Sequence, residues 1–399
     1  MSVILLGIPL IIICGLAIYF FIIKPKSKSN QQSESAKDKK PIIEEKQISS
    51  KEQKEQSKKE LQKQKQKQQL KSSQPMETAE RYMNVGNTTP ISISFDPTGK
   101  YFIVPCRNRQ QILFDVDGID KNANGKQRYR LTDDMVVDCS LFINDANKPE
   151  VALALDRGKS IQSFVLIEGS NKFEPGKFNV PNAGKLTVDK IKVAHDQSFV
   201  AALGDETYIR VFLPNGNPVF GKDTSQMKNT EISVSCNSEL VAASSFTSEI
   251  VVYGVDRDRS DVPAKVTKAF TFSGHKNSIQ SIDFDLKQLF VASGSKDCKY
   301  GFWLAPTRWR EGDVCRLQWS GSLPDPVFLI RICPTSELLA IITEKGKLYF
   351  CDKSGIKKTV EIAHNAKPTH MEWSPNGNWV VVLSIHSPFI YAYSNPLNE

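Results

Sequence analysis

Residues 274–303 read GHKNSIQSIDFDLKQLFVASGSKDCKYGFW. A Gly-His pair opens the unit. A segment with Ile279, Ser281 and Asp283 on one side and Ile282 and Phe284 on the other follows, and this period of two describes a half-buried strand. Then come a second apolar run, Leu289-Phe290-Val291-Ala292-Ser293, a polar turn ending at Asp297, and a third run closing on Trp303. One such sheet cannot stand alone, because it exposes a face and two edges. Radial repetition into a closed ring removes both problems.

The chain does repeat. Apolar first-strand segments recur at Ile91–Phe95, Cys139–Ile143, Lys190–Val193, Glu231–Val234, Ser281–Phe284, Leu329–Ile332 and His370–Trp373. Anchored on Phe95, Phe142, Val193, Val234, Phe284, Ile332 and Trp373, the spacings are 47, 51, 41, 50, 48 and 41 residues. Propeller blades recur every ~40–45 residues, with excess taken up in loops. A turn and then a second apolar segment, such as Val151–Leu155 or Trp379–Leu383, follow each anchor. The expected fold is therefore all-β, a seven-bladed propeller over residues 80–399. Its last blade has three strands, so Glu80–Val85 is expected to pair onto Phe389–Tyr393 as the missing outer strand; the alternative is that this segment is only linker.

The 274–303 unit resembles a WD repeat. That resemblance implies a buried chain of hydrogen bonds through His275, Ser293, Asp297 and Trp303, a structural tetrad that holds one blade rigid rather than a catalytic group. The other units keep only fragments of the signature, with Phe114, Phe212, Tyr253 and Phe350 where Trp303 stands in the fifth.

Ahead of the repeats, residues 3–23 contain no charged side chain. As a helix these 21 residues would extend about 31 Å, matching the ~30 Å hydrocarbon core of a bilayer. A cleaved signal peptide would have a shorter apolar core with basic residues ahead of it, so an uncleaved transmembrane anchor is expected. Lys24, Lys26 and Lys28 follow the span and no Lys or Arg precedes it, which puts the propeller in the cytosol. The scattered cysteines fit a reducing compartment. Residues 24–79 form a basic tether rich in Lys, Gln, Glu and Ser that cannot bury a core. Positions 24–81 carry 16 Lys and Arg against 9 Asp and Glu, and residues 82–399 carry 36 against 35. The net charge of +8 thus belongs almost wholly to the tether, and a basic nucleic-acid-binding fold is not indicated. The tether's lysine run could still meet an anionic leaflet or RNA.

No phosphate-cradling glycine loop, nucleophile elbow, His-Glu-x-x-His or Cys-x-x-Cys is present. No catalytic residue, metal ligand set or cofactor is expected. Asp117–Asn122 has scattered oxygen ligands but lacks the remainder of a calcium loop, and is expected to connect strands of the first blade.

Turns between second and third strands share one rim of a propeller. Arg107 and Arg109 in the first blade should therefore neighbour Arg157 and Lys159 in the second, with Lys296 farther round. Planar arginine forks there suit an acidic peptide, a phosphorylated segment or RNA phosphate; a solvated charged rim is the plainer alternative. Phe246 in the fourth-blade turn and Trp309 between two arginines are either exposed anchors for a partner or buried packing.

The stretches Ile209–Phe212, Ala242–Tyr253 and Lys268–His275, with the plan of the whole chain, resemble the transducin beta-like protein 2 family. The resemblance implies a non-enzymatic adaptor anchored in the endoplasmic reticulum membrane, with its WD propeller in the cytosol, binding cytosolic proteins and linked to stress signalling and translation control. Two alternatives from other classes are a membrane-bound nucleotide-exchange factor with a cytosolic propeller and an anchored calcium-dependent propeller hydrolase. The first would carry its anchor after the propeller, and the second needs converging acidic and amide ligands that the sequence does not supply.

Overall fold

The computed structural model describes residues 80–121, 125–155, 159–183, 187–204, 207–224, 228–287, 289–362 and 367–398. The expected span at 3–23 and tether at 24–79 lie outside the described residues, among which no helix is long and apolar enough to cross a membrane. The short alternating segments all become strands. They form seven antiparallel sheets of four strands each, a seven-bladed all-β propeller. Blade 5 shows the plan, running outward from Ile279–Phe284 through Phe290–Ser295 and Lys299–Leu304 to Arg316–Ser322. Each anchor residue of the repeat lies on the inner strand of its own blade.

Blade 7 takes its outer strand from the other end of the domain. Arg81–Asn84 pairs antiparallel with Phe389–Ser394, Arg81 opposite Ala392 and Asn84 opposite Phe389, as expected for Glu80–Val85. Met83 and Val85 are buried there against Phe102, Val381 and Ile390. Seven apolar clusters result, one between each pair of adjacent blades. This is the radial solution to the edge problem, since each sheet face is covered by the next sheet.

Register corrects one expectation. Opposite the residue that pairs with each inner-strand anchor stand Phe114, Phe212, Tyr253 and Trp303 in blades 1, 3, 4 and 5. In blade 6 that position holds Cys351, opposite Leu339. Phe350 is one residue away, so the pleat turns it to the other face, towards blade 7 rather than blade 5.

Inner strands do not pair with one another, so their outward N–H groups need other acceptors. Side chains of the preceding blade supply them. Ser94 Oγ accepts from Leu141 N–H (2.9 Å), Ser140 Oγ from Val193 (3.1 Å), Ser233 Oγ from Phe284 (3.0 Å) and Asp283 from Ile332 (2.9 Å). Glu372 in blade 7 does the same for Phe95 in blade 1. Blades 3 to 7 also share a register shift near the start of the inner strand, ahead of Lys190, Glu231, Ser281, Leu329 and His370. Bulges re-aim side chains, and Lys190, Glu231 and His370 line the central channel.

Candidate functional site

The tetrad residues of blade 5 are bonded in series. Trp303 Nε1 donates to Ser293 Oγ (2.9 Å), and Ser293 Oγ lies 2.9 Å from His275 Nε2. His275 Nδ1 is 3.3 Å from the Asp297 carboxylate, which also accepts from the backbone N–H of Lys276 and Lys299. Serine donating to Nε2 makes the imidazole neutral with its proton on Nδ1. Burial pushes the His275 pKa down in spite of Asp297. Asp297 is held below its ordinary value because those N–H donors and His275 outweigh burial. Every polar atom of this His-Asp pair is used in holding the turn.

The rim candidates differ in their surroundings. Arg107 and Arg109 are exposed and make no ion pair among the described residues, and Arg109 sits in the left-handed region at φ 65°. Lys159 is exposed and its carbonyl accepts from Ala183; Arg157 lies outside the described residues. Lys296 is not a free cation, since it pairs with Glu344 (3.5 Å) and covers the ring of Phe246 at 5.3 Å. Phe246 itself is half-buried at the mouth of the channel. Trp309 is ruled out as a surface anchor. It is 6% exposed, packs between blades 4 and 5, and rests on Gly254 with Arg310 stacked on its outer face at 4.1 Å. Of the Asp117–Asn122 segment, Asp117–Lys121 follows the third strand of blade 1 and Asn122 lies outside the described residues; Asp120 accepts from Trp379 Nε1 (3.1 Å), pinning blade 1 to blade 7. No group of three or more His, Cys, Asp or Glu suited to a metal occurs among the described residues.

The densest charge lies in the channel, on inner strands that the sequence reading treated only as apolar anchors. Lys192 of blade 3 meets Glu372 of blade 7 at 2.8 Å, and Arg331 of blade 6 meets Glu231 of blade 4 at 2.8 Å. Lys190 Nζ of blade 3 lies 2.6 Å from His370 Nε2 of blade 7. These ties join blades that are not neighbours. Burial would push Glu231 up, but Arg331 and Lys190 hold it below the ordinary carboxylate value. Burial works against Lys192 too, and Glu372 more than offsets it. His370 is driven well down by burial and by the cations Lys190, Arg331 and Lys192, so it is neutral and accepts from the Lys190 ammonium. Asp283 has no dedicated cation, and burial pushes its pKa up to about 7 against the pull of Arg331. A signal was available: Lys190, Lys192, Glu231, Asp283, Arg331, His370 and Glu372 interrupt strands whose other members are apolar. Read singly, each looks like a solvated face.

Comparison with known proteins fits this architecture. Residues 267–303 match the WD domain, G-beta repeat family. The human protein transducin beta-like protein 2 is 25% identical over 169 residues, 42% of this chain, and the mouse protein of the same name is 21% identical over 298 residues, 72% of this chain. The chain is distantly homologous to transducin beta-like protein 2. The matches span 36% of the human protein and 65% of the mouse protein. WD propellers are typically protein-binding scaffolds, and a rigid ring that presents many loops suits recognition.

Proposed function

We propose that this chain is a non-enzymatic WD-repeat scaffold, anchored in the endoplasmic reticulum membrane by residues 3–23, that presents its propeller to cytosolic protein partners in stress signalling and translation control. The observation that carries the proposal is the distant homology to transducin beta-like protein 2 across 72% of the chain, joined to a closed propeller. The His275–Asp297 pair supports it, being engaged in turn geometry rather than facing a substrate. Arg107 and Arg109, exposed and unpaired among the described residues, are the rim positions most suited to an acidic or phosphorylated segment of a partner.

Two measurements test the proposal. Protease added to sealed microsomes should digest the propeller, and Asn87 should carry no glycan; protection or glycosylation would place the domain in the lumen and refute the topology. Proximity labelling from the full-length chain should recover a reproducible set of cytosolic proteins. That set should be lost on Arg109→Glu/Arg157→Glu with membrane targeting unchanged, and Arg109→Glu alone should leave the melting temperature unchanged, since an exposed charge contributes little to folding. An unchanged set would move the binding surface off this rim.

A further inference from the structure

The central channel has a mouth on the face opposite the arginine rim, because successive turns of an antiparallel blade alternate between its two faces. The turns that follow the inner strands surround it. A cavity of about 110 Å³ enters the ring there, lined by all seven anchor residues of the repeat, from Phe95 to Trp373, each at most 8% exposed. Its floor is the shaft where Lys190 meets His370, which narrows to about 20 Å³, room for little more than a water. Pro97 and Leu286, both exposed, and half-buried Pro375 stand around the opening. An apolar cavity of about 150 Å³ holds a benzene-sized molecule, and sites for whole metabolites begin near ~300 Å³. This cup therefore takes one slender side chain, with an apolar collar beneath the backbone that carries it.

Charge decides which side chain. Cup and shaft are lined by three cations, Lys190, Lys192 and Arg331, and by five carboxylates, Asp96, Asp138, Glu231, Asp283 and Glu372. The two histidines, His195 and His370, are neutral, held down by burial and by neighbouring cations. Four of the carboxylates have both oxygens engaged. Asp96 accepts from Thr98 and Tyr101, and Asp138 from Ser92 and Ile191. Glu231 accepts from Arg331 and Ser281, and Glu372 from Lys192 and Phe95. Asp283 is the exception: one oxygen accepts from Ile332 N–H (2.9 Å), and the other has no hydrogen bond among the described residues. The cations that act on it, Arg331 and Lys192, are committed to Glu231 and Glu372. A carboxylate at the base of an apolar cup is completed by a cation on an apolar stem. An anionic group would instead add to an excess of carboxylates.

We propose that this cup is a socket for a lysine side chain of a protein partner, whose methylenes lie against the anchor collar and whose ammonium meets the free oxygen of Asp283. Pro97, Leu286 and Pro375 cover the partner's backbone on either side of that lysine, surface that a free amine would leave unused. The socket lies on the face opposite Arg107 and Arg109 and requires neither them nor the membrane anchor, so it is independent of the rim.

Binding is coupled to pH. Burial pushes the Asp283 pKa up to about 7, Glu372 adds to the rise, and Arg331 and Lys192 oppose it. The ionised fraction then grows from about one molecule in ten at pH 6 to about nine in ten at pH 8, and the affinity for an ammonium grows about tenfold with it.

The test uses the full-length chain in detergent micelles and saturation-transfer NMR observed on the ligand, at constant ionic strength. Four probes are compared: Nα-acetyl-lysine N-methylamide, its Nε-acetylated form, Nα-acetyl-glutamate N-methylamide and spermidine. At pH 8 the lysine probe should bind saturably and about tenfold or more tighter than the two other amino-acid probes. Its affinity should fall about tenfold at pH 6. Asp283→Asn keeps an acceptor for Ile332 N–H; a melting temperature no lower than wild type shows that it folds. This variant should bind the lysine probe about tenfold or more weakly at pH 8 and lose the pH dependence. Arg109→Glu should leave lysine binding unchanged, which separates the socket from the rim. No saturable binding of the lysine probe at pH 8, or equal affinity for the glutamate probe or in Asp283→Asn, would overturn the proposal. Saturation by spermidine alone would assign the cup to a free polyamine and overturn it as well.

Discussion

Arg331 and Glu231 face each other inside the channel at 2.8 Å, although 100 residues and an entire blade separate them in the chain. Arg331 also donates to Ser281 Oγ on the intervening blade (3.1 Å). The pair thus clamps three successive inner strands at one point.

Breaking a buried pair on one side strands a charge. Arg331→Met or Glu231→Gln alone should cost about 3–5 kcal/mol, and the double substitution far less than the sum. Chemical denaturation of the four proteins measures the coupling. Additive costs would mean that the two groups do not depend on each other.

His275→Ala or Asp297→Ala should each lower stability by about 1–3 kcal/mol, because the Ser293 hydroxyl or the turn N–H groups lose a buried partner. The folded pKa of His275 is below its ordinary 6.5, so the unfolded chain takes up the proton first as pH falls. The stability tied to this group is full above that value and declines below it. The gap between wild type and His275→Ala should therefore narrow from pH 7 to pH 5 in thermal melts.

Asp283 has the opposite sign. Its folded pKa of about 7 lies above the ordinary 3.8, so the native state keeps a proton that the unfolded chain releases. Its contribution falls as pH rises from about 4 to 7 and is level beyond. Asp283→Asn keeps an acceptor for the Ile332 N–H and removes the charge. Relative to wild type the variant should gain on the order of 1–3 kcal/mol between pH 5 and pH 8. A constant difference across that range would refute the assignment.

Arg109 occupies a left-handed turn position that favours glycine, at a cost of roughly 1–2 kcal/mol for a residue with a Cβ. Its side chain is exposed and without an ion pair among the described residues. Arg109→Gly should thus stabilise the propeller by about 0.5–1 kcal/mol, after the greater freedom of glycine in the unfolded chain is deducted. Loss of partner recovery by this stabilised variant would show what the arginine is kept for. A lower melting temperature would reveal a structural contact instead.

The ring was legible because its cause is local: alternating strands, tight turns and one well-marked blade recur along the chain. The tetrad was legible for the same reason, since all four residues fall within thirty positions. The channel was not. Lys192 and Glu372 are 180 residues apart, and nothing in either strand marks its polar side as facing inward until seven blades close around it. Trp309 misled in another way: Arg308 and Arg310 make it look exposed, whereas the absent side chain at Gly254, in the neighbouring blade, makes room for its ring. Phe350 misled through its aromatic character, because position in the ladder, and not residue type, decides which face a side chain meets.

The outer strand of blade 7 is the first part of the propeller that a ribosome makes and the last that can be used. Its partner Phe389–Ser394 is about 300 residues downstream, roughly 15–60 s of synthesis at ~5–20 residues per second. During that interval Met83 and Val85 lack the blade 7 half of their core, and the six earlier blades can stack while the circle stays open. Every newly made molecule therefore spends a defined time as an unlatched arc with free edges at both ends, a form whose lifetime is set by translation speed rather than by the finished structure.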